Sequence, residues 1–364
     1  MKILQIIGSL TTAGAEKLLS EAIPLLVQKG IEVDLLVLNG YQYPYMKQLQ
    51  QLKCCSIYSL GRGSLLNPLH IFRVIPYLVK YDLVHVHLFP ALYWVVGAKI
   101  FGFSRTKLVF TEHSTSNRRI QNKGFKSIER FIYSFYAKII CITEEVKQVL
   151  ELHLKLKSKK LLVISNGINL NDILNAVPLN RLKIDGAVIN ENDKIIIHVG
   201  GFRIEKDQKT SIRAMQYLNT NVKLLLVGDG FMKKECEQLV KELSLAERVY
   251  FLGIRMDVPS LLKTADISVV SSNWEGFGLV AIEGMAAGKP LIASDVAGLS
   301  NIVKGAGILF EKGNYGDLAK KIREVLADEV YYNRVARAGL KRAEQYDIND
   351  MVEKQVTLYR EMLK

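Results

Sequence analysis

Two glutamates eight positions apart, Glu275 and Glu283, stand in the stretch SSNWEGFGLVAIEGMAAGKP, residues 271–290. An apolar run, Ile267 to Val270, leads into polar residues and Glu275, and a helical pattern opens near Gly278. Gly276 and Gly278 let a ligand come close to the backbone and leave amide N–H groups open. A helix start adds unpaired N–H donors and the positive end of the dipole, which suit a phosphate. One acid precedes the helix; the other lies about a turn and a half inside it, at roughly 1.5 Å of rise per residue. Carboxylates at those two depths accept hydrogen bonds from hydroxyls on either side of a diphosphate. The constellation suits a nucleotide sugar, with the sugar at Glu275, the pyrophosphate at the helix start and the ribose at Glu283. Glycine-rich turns before helices are common, so the rest of the chain must carry this reading.

Other residues point the same way. HVGGFRIEKDQK (198–209) ends an apolar run in two glycines, and Arg203 and Lys206 could neutralise a departing diphosphate. LLLVGDGF (224–231) ends a strand in Gly228-Asp229-Gly230, a tight turn. In LGIRMDVPSLL (252–262), residues 255–258 could offer backbone groups to a nucleobase, with Asp257 as a helix cap. GSLTTAGAE (8–16) follows the first strand but lacks the full G-x-G-x-x-G fingerprint, and Gly14 could approach a phosphate or sugar at a helix start. His113, in TEHST, sits at a strand's carboxyl end, where ligands of open α/β sheets bind. His85 and His87 also end a strand, but no third ligand is fixed beside them by sequence, so no metal is assigned.

The elements that must position these groups alternate. Strand patterns at 2–7, 31–38, 82–87, 107–111 and 138–143 are separated by helical patterns at 15–29, 68–80, 91–101, 124–137 and 144–153. A second cycle follows a polar stretch (166–192), with strands at 194–199, 222–227, 249–252, 267–270 and 291–293. This predicts an α/β chain of two doubly wound parallel-sheet domains, 1–170 and 171–346, facing across a cleft, and a last helix at 347–364 that packs toward the first domain. The 364 residues suffice for two domains, with 49% hydrophobic and 23% charged residues, a globular composition. No signal peptide and no membrane-spanning run are expected. Four cysteines without metal or redox spacing read as reduced thiols of a cytoplasmic protein.

Taken together and in order, the motifs resemble the glycosyltransferase family 4 group of retaining, nucleotide-sugar-dependent enzymes with the GT-B fold. They are AGAE (13–16), SNGIN (165–169), GGFRIEK (200–206), VGDG (227–230), GIRMDVPSLL (253–262) and EGFGLVAIE (275–283). The resemblance implies that Glu275 binds sugar hydroxyls and that the backbone of Gly276, Phe277, Gly278 and Leu279 holds sugar and phosphate. It implies that Glu283 binds ribose and that Arg203 and Lys206 bind the pyrophosphate. His113 would lie near the transferred sugar, Gly14 would approach the donor from the N-terminal domain, Gly228 would line the donor site and Arg255 would flank the base. No metal or other cofactor is implied. Two positions depart from the family pattern: Gly201 stands where an arginine is usual, and Asn169 replaces an aspartate. Retention of configuration without an evident carboxylate nucleophile suggests a front-face route, by analogy alone.

Net charge is +13, and residues 105–160 carry 13 Lys/Arg against 5 Glu. Within them, Phe125, Ile128, Ile132, Phe135 and Tyr136 follow helical spacing, with Lys123, Lys126 and Arg130 off that stripe. The stripe reads as a core face or as an interfacial helix, Arg118 to Lys138, on an anionic membrane. The latter fits peripheral attachment to the inner leaflet and a sugar or lipid-linked sugar acceptor. A nucleotide-sugar epimerase is the alternative chemistry; nucleic acid is not an expected partner, for lack of interleaved aromatics or a known module.

Overall fold

The computed structural model describes residues 1–113, 126–154 and 158–364. The chain divides into two compact units: Met1–Gly167 with Ile348–Lys364, and Ile168–Asp347. The first boundary falls three residues before the one read from sequence, and the terminal helix Ile348–Leu363 belongs to the first unit. There, Gln5 Nε2 donates to the Tyr359 hydroxyl at 3.3 Å.

The N-terminal unit holds seven parallel strands: β1 (Lys2–Ile7), β2 (Glu32–Val37), β3 (Ile57–Ser59), β4 (Leu83–His87), β5 (Lys107–Glu112), β6 (Lys138–Cys141) and β7 (Leu161–Val163). Their order is β3-β2-β1-β4-β5-β6-β7. The C-terminal unit holds β8 (Lys194–Val199), β9 (Val222–Val227), β10 (Val249–Gly253), β11 (Ile267–Val270), β12 (Leu291–Ser294) and β13 (Ile308–Phe310), ordered β10-β9-β8-β11-β12-β13. The central strands are Ile/Val/Leu runs because helices cover both faces, and β4 and β11 are buried along their whole length. In each sheet the order reverses beside the first strand, between β1 and β4 and between β8 and β11. Such a switch point opens a crevice at the strands' carboxyl ends.

The basic stretch Arg118 to Lys138 departs from its sequence reading. Residues 118–125, with Phe125 of the proposed stripe and Lys123 beside it, lie outside the described residues. The helix Lys126–Ser134 buries Glu129 and Tyr133, and Tyr136 beyond it is also buried; Ile128 and Phe131 face solvent. Of the proposed stripe, Tyr136 is buried, Ile132 and Phe135 are half-buried and Ile128 is exposed, so the core face is turned toward Glu129, Tyr133 and Tyr136. Glu129 can be buried because His153 Nε2 meets its Oε2 at 2.6 Å and the Tyr93 hydroxyl donates to its Oε1 at 3.3 Å.

Candidate active site

The residues of the C-terminal unit converge at its switch point. The loop after β8 carries Gly200 to Asp207, and the loop after β11 carries Ser271 to Gly278. Hydrogen bonds stitch the two together. Asn273 donates through its backbone N to Glu205 O and through Nδ2 to Ile204 O, both at 2.7 Å. The Ser271 hydroxyl donates to Asp207 O at 2.7 Å. So fixed, Lys206 Nζ pairs with Glu275 Oε1, and the Ser272 hydroxyl donates to the same oxygen at 2.8 Å. The Lys206 and Glu275 side chains are 25% and 11% exposed, so the pair is partly desolvated yet open to a ligand.

The glycines divide by function. A Cβ at Gly228 (φ +135°) would lie 2.2 Å from Gly200 O, so only glycine fits. Gly201 has no such conflict: a Cβ there would meet Asp229 O at 3.4 Å and Arg203 Nε at 3.6 Å, ordinary contacts. Gln208, buried, donates to the carbonyls of Gly200 and Gly201 at 3.3 and 3.0 Å and holds this turn in place. Arg203 is exposed.

The helix Leu279–Ala286 starts at Gly278, whose left-handed backbone (φ +84°, ψ 44°) turns the chain into it. No side chain caps it, so its first N–H groups stay open. Phe277 is buried edge-on against Tyr346, with ring centroids 5.6 Å apart, while Gly276 and Leu279 are half-buried. Glu283 is buried one turn into the helix. Gly298 (φ +85°) escaped the sequence reading. A Cβ there would lie 2.2 Å from Glu275 O, so the loop after β12 presses on the glutamate's backbone. Ser272, Gln208 and Asn273 were also missed; their roles exist only in tertiary contact.

Two local expectations change. Asp257 precedes the helix Val258–Thr264 but makes no side-chain cap bond. Its oxygens instead take two bonds from Arg255, at 2.7 and 2.6 Å, which hold the Asp257 carboxyl below its ordinary range. Arg255 is thus engaged within the protein. Asn169, in place of a carboxylate, caps the helix Leu170–Leu174 by accepting from Asp172 N at 3.2 Å.

His113 and Gly14 belong to the N-terminal unit. Gly14 is exposed at the first turn of the helix Gly14–Gln28. His113 is not a lone histidine: the His85, His87 and His113 rings form a row, with centroids 4.2 and 5.8 Å apart. His85 is bound by the Tyr359 hydroxyl at 2.5 Å and the Thr111 hydroxyl at 2.7 Å, and His87 by Gln5 Oε1 at 2.8 Å. His113 Nε2 is buried without a hydrogen-bond partner among the described residues. Burial pushes the His113 pKa down to about 4 and that of His85 to about 3, so both are neutral at physiological pH. A neutral His113 can offer a hydrogen bond but carries no charge of its own. In the C-terminal unit, burial and then the Lys206 charge lower His198 to about 3. Among the described residues no cluster of three His, Cys, Asp or Glu side chains could hold a metal.

Family profiles match both units: Glycosyltransferase Family 4 over residues 12–172 and Glycosyl transferases group 1 over 181–342. An uncharacterised glycosyltransferase of Methanocaldococcus jannaschii is 30% identical over 356 residues, covering 92% of this chain and 91% of that protein. The chain belongs to glycosyltransferase family 4. This glycosyltransferase is also 27% identical over 362 residues to a Campylobacter jejuni enzyme, covering 94% of each. That enzyme is named N-acetylgalactosamine-N,N'-diacetylbacillosaminyl-diphospho-undecaprenol 4-alpha-N-acetylgalactosaminyltransferase. The Anabaena protein HepE, solved with UDP and glucose, superposes with a TM-score of 0.83 at 24% identity, covering 99% of this chain and 100% of that one. Two parallel-sheet α/β units and this likeness give the glycosyltransferase the GT-B fold.

Proposed function

We propose that this chain transfers a hexose-type sugar from a UDP-sugar, with retention of configuration and without a metal ion, to a sugar or lipid-linked sugar in bacterial surface polysaccharide or lipopolysaccharide assembly. The Lys206–Glu275 pair carries the reading: it joins a cation and a hydroxyl acceptor beside an uncapped helix start. The diphosphate lies on the amides of Gly276 to Leu279, and the sugar hydroxyls bond Glu275. Glu283 accepts from the ribose. As the bond to the anomeric carbon breaks, Lys206 and Arg203 take up the charge growing on the diphosphate, the part a divalent ion would otherwise play. The tight turn at Gly228 lets backbone approach the donor closely, Gly201 leaves the amides of its own turn open, and Arg255 orders the loop beside the base. His113 and Gly14 serve the sugar end from the N-terminal unit. The uridine preference draws on the HepE complex and the lipid-linked acceptor on the Campylobacter enzyme's name. Peripheral attachment to an anionic inner leaflet fits such an acceptor. Among the described residues no helix is long and apolar enough to cross a membrane.

A thermal-shift panel of UDP-, GDP- and ADP-sugars tests the donor site. Ligand at about a hundred times Kd stabilises the folded state by about 2.7 kcal/mol. UDP-sugars should raise Tm in the wild type, and Glu283→Ala should abolish the rise. A full shift in that variant would refute the ribose assignment. Release of UDP only when acceptor is added separates transfer from epimerisation.

A further inference from the structure

One surface of the N-terminal unit holds none of the residues assigned above to sugar transfer. The helices His70–Leu78 and Ala91–Phe101 pack where Gly97 and Gly102 meet Ile71 and Ile75; a Cβ at either glycine would lie 2.9 Å from the isoleucine opposite. That contact uses one face of the first helix. The neighbouring face, Leu69, Phe72, Pro76 and Val79, follows the spacing i, i+3, i+7, i+10 and stands in solvent. Phe72, 57% exposed, meets Phe101, 60% exposed, with ring centroids 5.8 Å apart. The next turn extends the ridge with Phe103, 91% exposed.

Phe103 has φ +49°, a left-handed backbone that a bulky residue rarely adopts. The turn is locked there. Lys99 Nζ donates to Ser104 O at 2.9 Å and Thr106 O at 2.6 Å, the Ser104 hydroxyl donates to Thr106 Oγ1 at 2.9 Å, and the Thr106 hydroxyl donates to Leu78 O. An aromatic ring is thus held outward on a fixed, strained turn. The left-handed residue closes the helix end, with Phe103 N donating to Ile100 O at 3.2 Å and Ser104 N to Lys99 O at 3.0 Å, and a phenylalanine stands in solvent where glycine is usual.

The surrounding charge identifies the occupant. Residues 35–111 contain eight Lys/Arg and a single acid, Asp82, a net of +7. Asp82 is occupied by the backbone N–H of Lys2 at 2.8 Å. Arg73, Lys80 and Arg105 are exposed and stand next to Phe72, next to Val79 and two residues beyond Phe103. A second copy of the chain docking face to face would bring these cations against their own kind. An anionic bilayer would pair with them while taking in the rings.

We propose that the ridge of Leu69, Phe72, Val79, Phe101 and Phe103, flanked by Arg73, Lys80 and Arg105, seats the N-terminal unit on the surface of an anionic bilayer. The surface goes beyond the transfer reading; only its purpose, reaching a lipid-linked acceptor, rests on that reading. Flotation of the full chain uses vesicles of phosphatidylcholine alone or mixed with phosphatidylglycerol, without donor or acceptor. The wild type should float with the mixed vesicles only, and less so as salt rises. The pair Phe72→Ser and Phe103→Asn should lower partitioning roughly tenfold or more. Asn suits a left-handed backbone, so F103N alone should hold or raise Tm, an outcome a packing role for Phe103 would reverse. The pair I128S and F131S, on the helix Lys126–Ser134, should float as the wild type does. No flotation of the wild type, or loss in I128S/F131S with retention in F72S/F103N, would overturn the proposal. So would light scattering that shows F72S/F103N splitting a dimer without changing flotation. The UDP-sugar thermal shift should persist in F72S/F103N, so failure of the ridge and failure of the donor site are distinguishable.

Discussion

Lys206 and Glu275 hold each other, so on the proposed donor reading binding exchanges one partner for another. In that proposed exchange the ammonium leaves a carboxylate for a diphosphate, and the carboxylate leaves an ammonium for sugar hydroxyls. The pairing, with the Ser272 hydroxyl, holds both side chains in place. Replacing Lys206 by Met should lower kcat/KM by about 10²- to 10³-fold, the usual cost of one well-aimed donor, with a smaller change in donor affinity. Steady-state kinetics with saturating acceptor checks this; an unchanged rate would remove Lys206 from the reaction. Spacing announced the two glutamates because one lies before a helix and the other inside it. Ser272, Gln208 and Asn273 gave no such signal. Each acts on backbone or carboxylate groups distant in sequence, and a serine or amide side chain alone says nothing of that. The Asp257 cap failed for a related reason: Arg255, two residues away, supplies a charge-assisted bidentate partner, a stronger claim on a carboxylate than a backbone N–H.

The central strands were legible because parallel strands covered on both faces read as unbroken apolar runs. Three strands were not: β3, β7 and β13 have only three residues each, too few for a pattern to stand out. The buried face of the helix after β5 was only partly legible because it includes a glutamate and a tyrosine, satisfied by partners that periodicity cannot see. Loop positions follow from sheet order: β8 and β11 are neighbours only in space, and their loops meet only because the order reverses between them. Gly298 is the sharpest test of how these loops support each other. In Gly298→Ala the left-handed backbone costs about 1–2 kcal/mol before any clash with Glu275 O. Tm should fall by several degrees and transfer should fall further, through displacement of Glu275. Wild-type kinetics in a correctly folded variant would show that this contact is idle.

The whole molecule carries a pH dependence set by buried imidazoles. His85, His113 and His198 have folded pKa values of about 3, 4 and 3, against an ordinary 6.5. Below 6.5 the unfolded chain takes up protons that the folded chain refuses, so stability rises with pH across that window. Above pH 6.5 these groups cost nothing. As pH falls from 6.5 toward 4, each removes up to about 1.4 kcal/mol per unit. Tm should be level near and above neutrality and drop steeply below pH 6; an equally level course down to pH 4.5 would contradict the buried neutral histidines. The two-unit organisation was visible in the repeated strand–helix alternation, and the loops after β8 and β11 singled out in the sequence meet at the switch point. The histidine row was not visible, since His85, His87 and His113 come from two strands that are adjacent only in the folded sheet.

Gly298 against the Glu275 carbonyl also bears on how this enzyme can be re-engineered. A chimera made by transplanting the Ser271–Leu279 segment from a relative with another donor would seat the foreign loop on a native buttress shaped for a different one. On the proposed donor site, the swap unit has to include residues 295–299, and a transplant of both pieces together is the smallest cassette expected to keep the Gly298–Glu275 contact and the loop it supports intact.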